Sequence, residues 1–163
     1  MSDLLASPDY SFFWGVVEVD ELNFQVIELS RTIAPSLQTL TVLHFIINNI
    51  IGVDNDPLGG LCYELEKISG KNNLEFIDIQ VYVEPYEDCH TGAQWGMLEN
   101  VLLNSGWPML KYVSLSIFLF YTSARRLDSP LAMVLKRLPQ TQFTRLTLTK
   151  DLDFQFSVGE QQA

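Results

Sequence analysis

The sequence is poor in cysteine, histidine and positive charge. Cys62 and Cys89 are its two cysteines, too few for the stapled framework of a small secreted domain. His44 and His90 are its two histidines. No C-x-x-C or second histidine completes a ligand set around them, so neither a metal site nor any other cofactor is expected. Lysine and arginine total 10 against 20 acids, a net charge of −10. Such a chain repels phosphate backbones, which argues against nucleic acid as a partner. Long apolar runs are missing too. The longest, Leu40 to Val53, is broken by His44, Asn48 and Asn49 and falls short of the ~20 residues that span a bilayer, so no membrane partner is expected. The opening MSDLLASPDY has Asp3 and no basic stretch before an apolar one. A signal peptide is therefore not expected, and the expected setting is intracellular, cytoplasmic or nuclear.

What the chain does have is apolar surface to bury. Hydrophobic residues make up 47% and charged residues 18% of its 163 positions, which describes one folded domain over 1–163 rather than a disordered chain. The charge is uneven. Residues 1–100 carry 16 acids and 3 bases, and residues 101–163 carry 4 acids and 7 bases. That asymmetry either steers a charged partner or only solubilises the surface.

An unusual spacing recurs. In WPMLKYVSLSIFLFY, residues 107–121, Leu110, Val113 and Leu115 are separated by three and then two. Leu37-xx-Leu40-x-Val42, Leu74-xx-Ile77-x-Ile79 and Phe143-xx-Leu146-x-Leu148 repeat it. An apolar residue entering from a bend, followed by a short strand with alternate residues inward, satisfies this spacing. It is the leucine-rich-repeat geometry.

Helical spacings fill the intervals. Leu22, Val26, Leu29 and Ile33 form one set, stopped by Pro35; Leu58, Leu61, Leu65 and Ile68 form another, followed by Gly70. Trp95, Leu98, Val101 and Leu102 form a third, with Thr91 as a cap and Gly106 as its end. Leu131, Val134, Leu135 and Leu138 form a fourth, after Asp128, Ser129 and Pro130. The expected fold is therefore α/β: a leucine-rich-repeat-like curved solenoid of about four helix–strand repeats with parallel strands. The repeats fall at about 20–45, 57–82, 92–119 and 128–149. A strand is expected at 12–19, and Phe154, Phe156 and Val158 predict a terminal strand, 153–158, in a C-terminal hairpin cap.

The helix bearing Trp95, then WPMLKYVSLSI, then PLAMVLKRLPQTQFTRLTL resemble the C-terminal leucine-rich-repeat-like region of F-box proteins expanded in mushroom-forming fungi. The resemblance is carried by Trp95, Trp107-Pro108 and Leu138-Pro139, is best from Asn73 to Leu148, and is looser from Asp20 to Val42. In that family the F-box recruits an adaptor of a ubiquitin ligase and the repeats are taken to bind its substrate. Residues 1–36 show no Leu-Pro-x-Glu followed by a helical apolar run. Adaptor binding is therefore not expected of this chain. The resemblance leaves open the substrate-recognition portion of such a receptor, beside a free-standing interaction module.

In a solenoid the outward strand residues form the concave face that commonly binds a partner. The spacing names Thr39 and Thr41, then Phe76, Asp78 and Gln80, then Tyr112, Ser114 and Ser116, then Arg145, Thr147 and Thr149. Aromatic and arginine anchors suit recognition of a protein or peptide; equally, Phe76 and Tyr112 suit simple cross-strand packing. Two acidic stretches, Val53 to Asp56 and Val83 to His90, are alternative contact loops. Both faces of Ile117 to Tyr121 are apolar, so Phe118 and Phe120 need either cover from Ile46–Val53 or a partner.

Chemistry has little support. Cys89-His90 adjacency does not aim a base at a thiol. Asp54-x-Asp56 is followed by Pro57 and Leu58, which break a calcium loop. Gly59-Gly60 reads as a turn, Cys62 as a core residue, and Trp14, Trp95 and Trp107 as core aromatics. No catalytic residue is nominated, and the function expected is non-enzymatic.

Overall fold

The computed structural model describes residues 12–13, 16–19, 34–49, 58, 60–83, 94–121 and 130–162. The expected helix over Leu22–Ile33, both acidic loops, Cys89-His90, Thr91, Trp14 and the caps Asp128 and Ser129 lie outside the described residues.

The fold is α/β, an open six-stranded sheet in the order β1-β2-β3-β4-β5-β6. The strands are β1 Phe12–Phe13, β2 Val16–Val19, β3 Val42–Asn49, β4 Phe76–Val83, β5 Tyr112–Tyr121 and β6 Asp153–Gln162. β1 pairs antiparallel with β2, and β2 to β6 all run parallel. The strand expected at 12–19 is thus two strands, β1 and β2. The helices are α1 Leu61–Ile68, α2 Gln94–Leu102, α3 Pro130–Lys136, α4 Leu138–Thr141 and α5 Thr144–Leu148, with a 3-10 turn at Ala34–Ser36.

Alternation along the strands makes the core. Leu43, Phe45 and Ile47 of β3, Ile77, Ile79, Val81 and Val83 of β4, and Val113, Leu115, Ile117 and Leu119 of β5 are all buried. They share one cluster with Leu61, Leu65, Leu98, Leu135 and Leu138 of the helices, so the helices cover that face. Each such side chain contributes ~1.5–3 kcal/mol by leaving water. Phe154, Phe156 and Val158 continue the row on β6 but are only partly buried.

Neighbouring helix–strand units are joined at a turn rather than by packing alone. Ser69-Gly70 and Ser105-Gly106 each lie just before a strand, 36 residues apart. Gly70 takes φ 75°, which a side chain would oppose, and its N–H donates to the Gly106 carbonyl at 2.7 Å. A Cβ on Gly106 would stand 1.5 Å from Ser69 Oγ, so only glycine allows the two turns to stack. Buried Asn72 completes the joint. Its amide donates to the carbonyls of Ile68 and Gly106, and its Oδ1 accepts from Leu74 N–H.

Two expectations are corrected here. The strand placed at Phe143–Leu148 is helix α5. Phe143 and Leu146 are buried, whereas Leu148 is 80% exposed. The step of three from Phe143 to Leu146 suits a helical face as well as a bend leading into a strand; only an inward residue two positions further marks the strand, and Leu148 does not point inward. Buried Glu99 fixes the helix, with Oε2 accepting from Arg145 N–H at 3.0 Å and Leu146 N–H at 3.2 Å. The fourth strand is instead β6. It pairs parallel to β5 over ten residues, so it is a full member of the sheet and not half of a hairpin cap.

Candidate functional site

The face opposite the helices carries the candidate site, and parallel pairing sets its residues in rows. Val42, Phe76, Tyr112 and Asp153 form the first row. His44, Asp78, Ser114 and Gln155 form the second, and Ile46, Gln80, Ser116 and Ser157 the third. Tyr82, Phe118 and Gly159 share the next. The described β3, β4 and β5 side chains of these rows are half-buried.

Two aromatic pairs bracket a polar strip. Phe76 and Tyr112 lie 4.7 Å apart with rings tilted by 53°. Tyr82 and Phe118 stack at 5.0 Å and 20°. Four residues separate Phe76 from Gln80 and two more reach Tyr82, so the pairs stand ~20 Å apart along the strands. Between them runs a chain of hydrogen bonds. Tyr82 Oη donates to Gln80 Oε1 at 3.2 Å, and Gln80 Nε2 donates to Asp78 Oδ2 at 3.4 Å. His44 Nδ1 meets the same Asp78 oxygen at 2.6 Å. Ser157 Oγ bonds Ser116 Oγ at 3.0 Å. The Tyr112 phenol is pushed above its ordinary 10.0 by burial, then by the carboxylates of Asp153 and Asp78.

The His44–Asp78 pair resembles half of a hydrolytic triad, and its placement removes that use. A triad needs histidine between the acid and the nucleophile. Here Asp78 is central, with His44 on β3 and Ser114 on β5. The histidine and the serine are two strand spacings, ~9.6 Å, apart. Among the described residues no three His, Cys, Asp or Glu side chains converge as metal ligands. Cys62 is buried in the core.

Of the eleven residues expected on this face, six are there: Phe76, Asp78, Gln80, Tyr112, Ser114 and Ser116. Thr39 and Thr41 are not. Thr39 lies in the turn before β3, its hydroxyl donating to Ser36 O, and the Thr41 carbonyl receives the N–H groups of Glu75 and Phe76. Arg145, Thr147 and Thr149 are not either. Arg145 Nη1 bonds Asn100 Oδ1 on α2 at 2.9 Å, and both threonine hydroxyls bond helical carbonyls of α5. The residues missed are Val42, His44 and Ile46 on β3, Tyr82 farther along β4, and Asp153, Gln155 and Ser157 on β6; Phe118, singled out as needing cover or a partner, lies on this face beside Tyr82. A sequence signal existed for β3. Leu40-xx-Leu43-x-Phe45 also spaces three and two, and all three residues are buried. Phe118 takes its cover from Tyr82; residues 50–53 lie outside the described set.

No helix among the described residues is long and apolar enough to cross a membrane. No protein-family model, curated protein or solved structure matches the chain.

Proposed function

We propose that the chain is a leucine-rich-repeat-like interaction module, without chemistry of its own, that binds a protein or peptide on the open face of its sheet. The observation that carries this reading is the contrast between the two faces. One is sealed by Leu, Ile, Val and Phe under the helices, while the other presents aligned aromatic and polar rows that no helix among the described residues covers. Rows of this kind suit recognition. The strands supply a rigid backbone, rings supply desolvated contact area, and Asp78, Gln80, Ser114 and Ser116 supply directional hydrogen bonds. Register deepens the support, since Leu43, Ile77, Val113 and Phe154 succeed one another at intervals of 34, 36 and 41 residues, close to one helix–strand unit each.

The test is a selection of binders from a displayed library, followed by affinity measurement against two variants of verified fold. Phe76→Ala/Gln80→Ala/Tyr112→Ala strips the open face. Met97→Ala/Met133→Ala strips two exposed side chains of the helical side. A loss of tenfold or more, about 1.4 kcal/mol, is expected for the first variant and none for the second. The reverse pattern, or no loss from either, would overturn the reading.

A further inference from the structure

The open face is acidic as well as aromatic. Its described outward positions on β3 to β6 hold Asp78 and Asp153 and no lysine or arginine. Nearby Lys111 is already engaged, its ammonium 3.0 Å from Glu75. The two acids flank one ring. Asp153 pairs in register with Tyr112, and Asp78 lies on the opposite neighbouring strand, two positions further along. Both carboxylates act on the Tyr112 phenol, so the two charges are felt at that ring from either side.

The acids are also available. His44 and Gln80 both bond Oδ2 of Asp78, which fixes the carboxylate and leaves Oδ1 with no partner among the described residues. Asp153 is exposed and takes no side-chain partner among them. Phe76 packs against the Tyr112 ring from β4, with the two rings tilted.

Resting on the reading of this face as a binding surface, we infer that its partner presents a cationic side chain, arginine above all, seated on Tyr112 between Asp78 and Asp153. A guanidinium suits this place because it stacks on an aromatic ring and bonds carboxylates through several N–H groups at once. The strands carrying the two acids are ~9.6 Å apart, a gap that two aspartate side chains and one guanidinium fill. The Ser114, Ser116 and Gln80 strip then runs beside the chain that bears the arginine. The partner is an extended basic segment of a protein.

The test uses one host peptide of alternating Ser, Thr and Val with two guest positions filled by arginine, by citrulline, its uncharged isostere, or by glutamate. The folded wild-type chain should bind the arginine peptide at least tenfold more tightly than the citrulline peptide, and the glutamate peptide not at all. Asp78→Asn/Asp153→Asn should abolish the preference. Tyr112→Leu should weaken it, whereas Tyr112→Phe, which keeps the ring, should retain most of it. Glu66→Gln/Glu160→Gln removes the same charge away from this face and should leave the preference intact. Equal binding of arginine and citrulline peptides, lost on Phe76→Ala, would overturn the cationic partner and leave the binding face standing. Absence of arginine-peptide binding, or an equal loss in the Glu66/Glu160 variant, would overturn it as well. The broader reading is judged separately by the Phe76/Gln80/Tyr112 and Met97/Met133 comparison.

Discussion

Asn72 ties its own turn, 68–74, to the turn at Gly106 with one side chain. It is buried, and all three of its hydrogen bonds go to backbone groups of the turns around it. Asn72→Ala would leave the buried Leu74 N–H without its acceptor and remove one of the two hydrogen bonds to the Gly106 carbonyl, at a cost of ~1–3 kcal/mol, read from urea unfolding midpoints. Strand parity sets the cost of neighbouring changes. Ile77→Ala removes a fully buried side chain and should cost about 2–5 kcal/mol. Ser116→Ala on the open face should stay within ~0.5–1 kcal/mol. Equal losses at the two positions would mean that the faces are assigned wrongly. Tyr112 adds a pH dependence. Its folded phenol is raised above 10.0, so the folded state keeps a proton that the unfolded chain releases. That stabilising difference is complete below the unfolded value and is lost as pH rises through the folded one. Unfolding midpoints of wild type and Tyr112→Phe should therefore converge or cross as the pH passes ~10, while parallel curves would contradict the assignment.

At the scale of elements, the two central helix–strand units were legible and the outer ones were not. Leu58 to Ile68 and Trp95 to Leu102 have clean helical spacing, and the structure places α1 and α2 there. Leu74-xx-Ile77-x-Ile79 and Leu110-xx-Val113-x-Leu115 have one reading each, and both became strands in register. The first repeat was ambiguous because Leu37, Leu40 and Leu43 succeed one another by threes, so the pattern can begin at either of the first two. Leu37 and Leu40 are both buried, but before β3 starts. The last was misread because the step from Phe143 to Leu146 suits a helical face as well as a bend leading into a strand, and what decides between them is a distant residue, Glu99. Glu99→Ala should cost ~2–4 kcal/mol, since two N–H groups and a buried pocket lose their partner, with hydrogen exchange accelerating first across 144–148. Gly106→Ala tests the joint between repeats. It should destabilise by ~1–3 kcal/mol through overlap with Ser69, and Ser69→Gly in the same chain should recover part of the loss.

At the scale of the molecule, the sheet divides the chain's surface into two characters. The helical side exposes the apolar side chains of Tyr63, Met97, Met133, Val134 and Leu148, whereas the strand side sets its rings and acids in rows across paired strands. Half of the candidate face was readable because strand alternation needs only one correct anchor. Once Ile77 and Val113 are inward, Phe76, Asp78, Gln80, Tyr112, Ser114 and Ser116 are outward by parity. The contribution of His44 and Asp153 was hidden, because it depends on which strands become neighbours. Residues 44 and 78, or 112 and 153, meet only once β3 pairs with β4 and β5 with β6.

Photo-crosslinking tests the central claim most directly. A photoreactive phenylalanine analogue replaces Ser116 on the open face in one protein and exposed Met133 on the helical side in another. Each is irradiated in the presence of a binder selected on the wild-type chain. The face proposed here predicts an adduct from position 116 and none from position 133. An adduct from 133 alone would place the partner on the helices and contradict the assignment of the open sheet as the working surface.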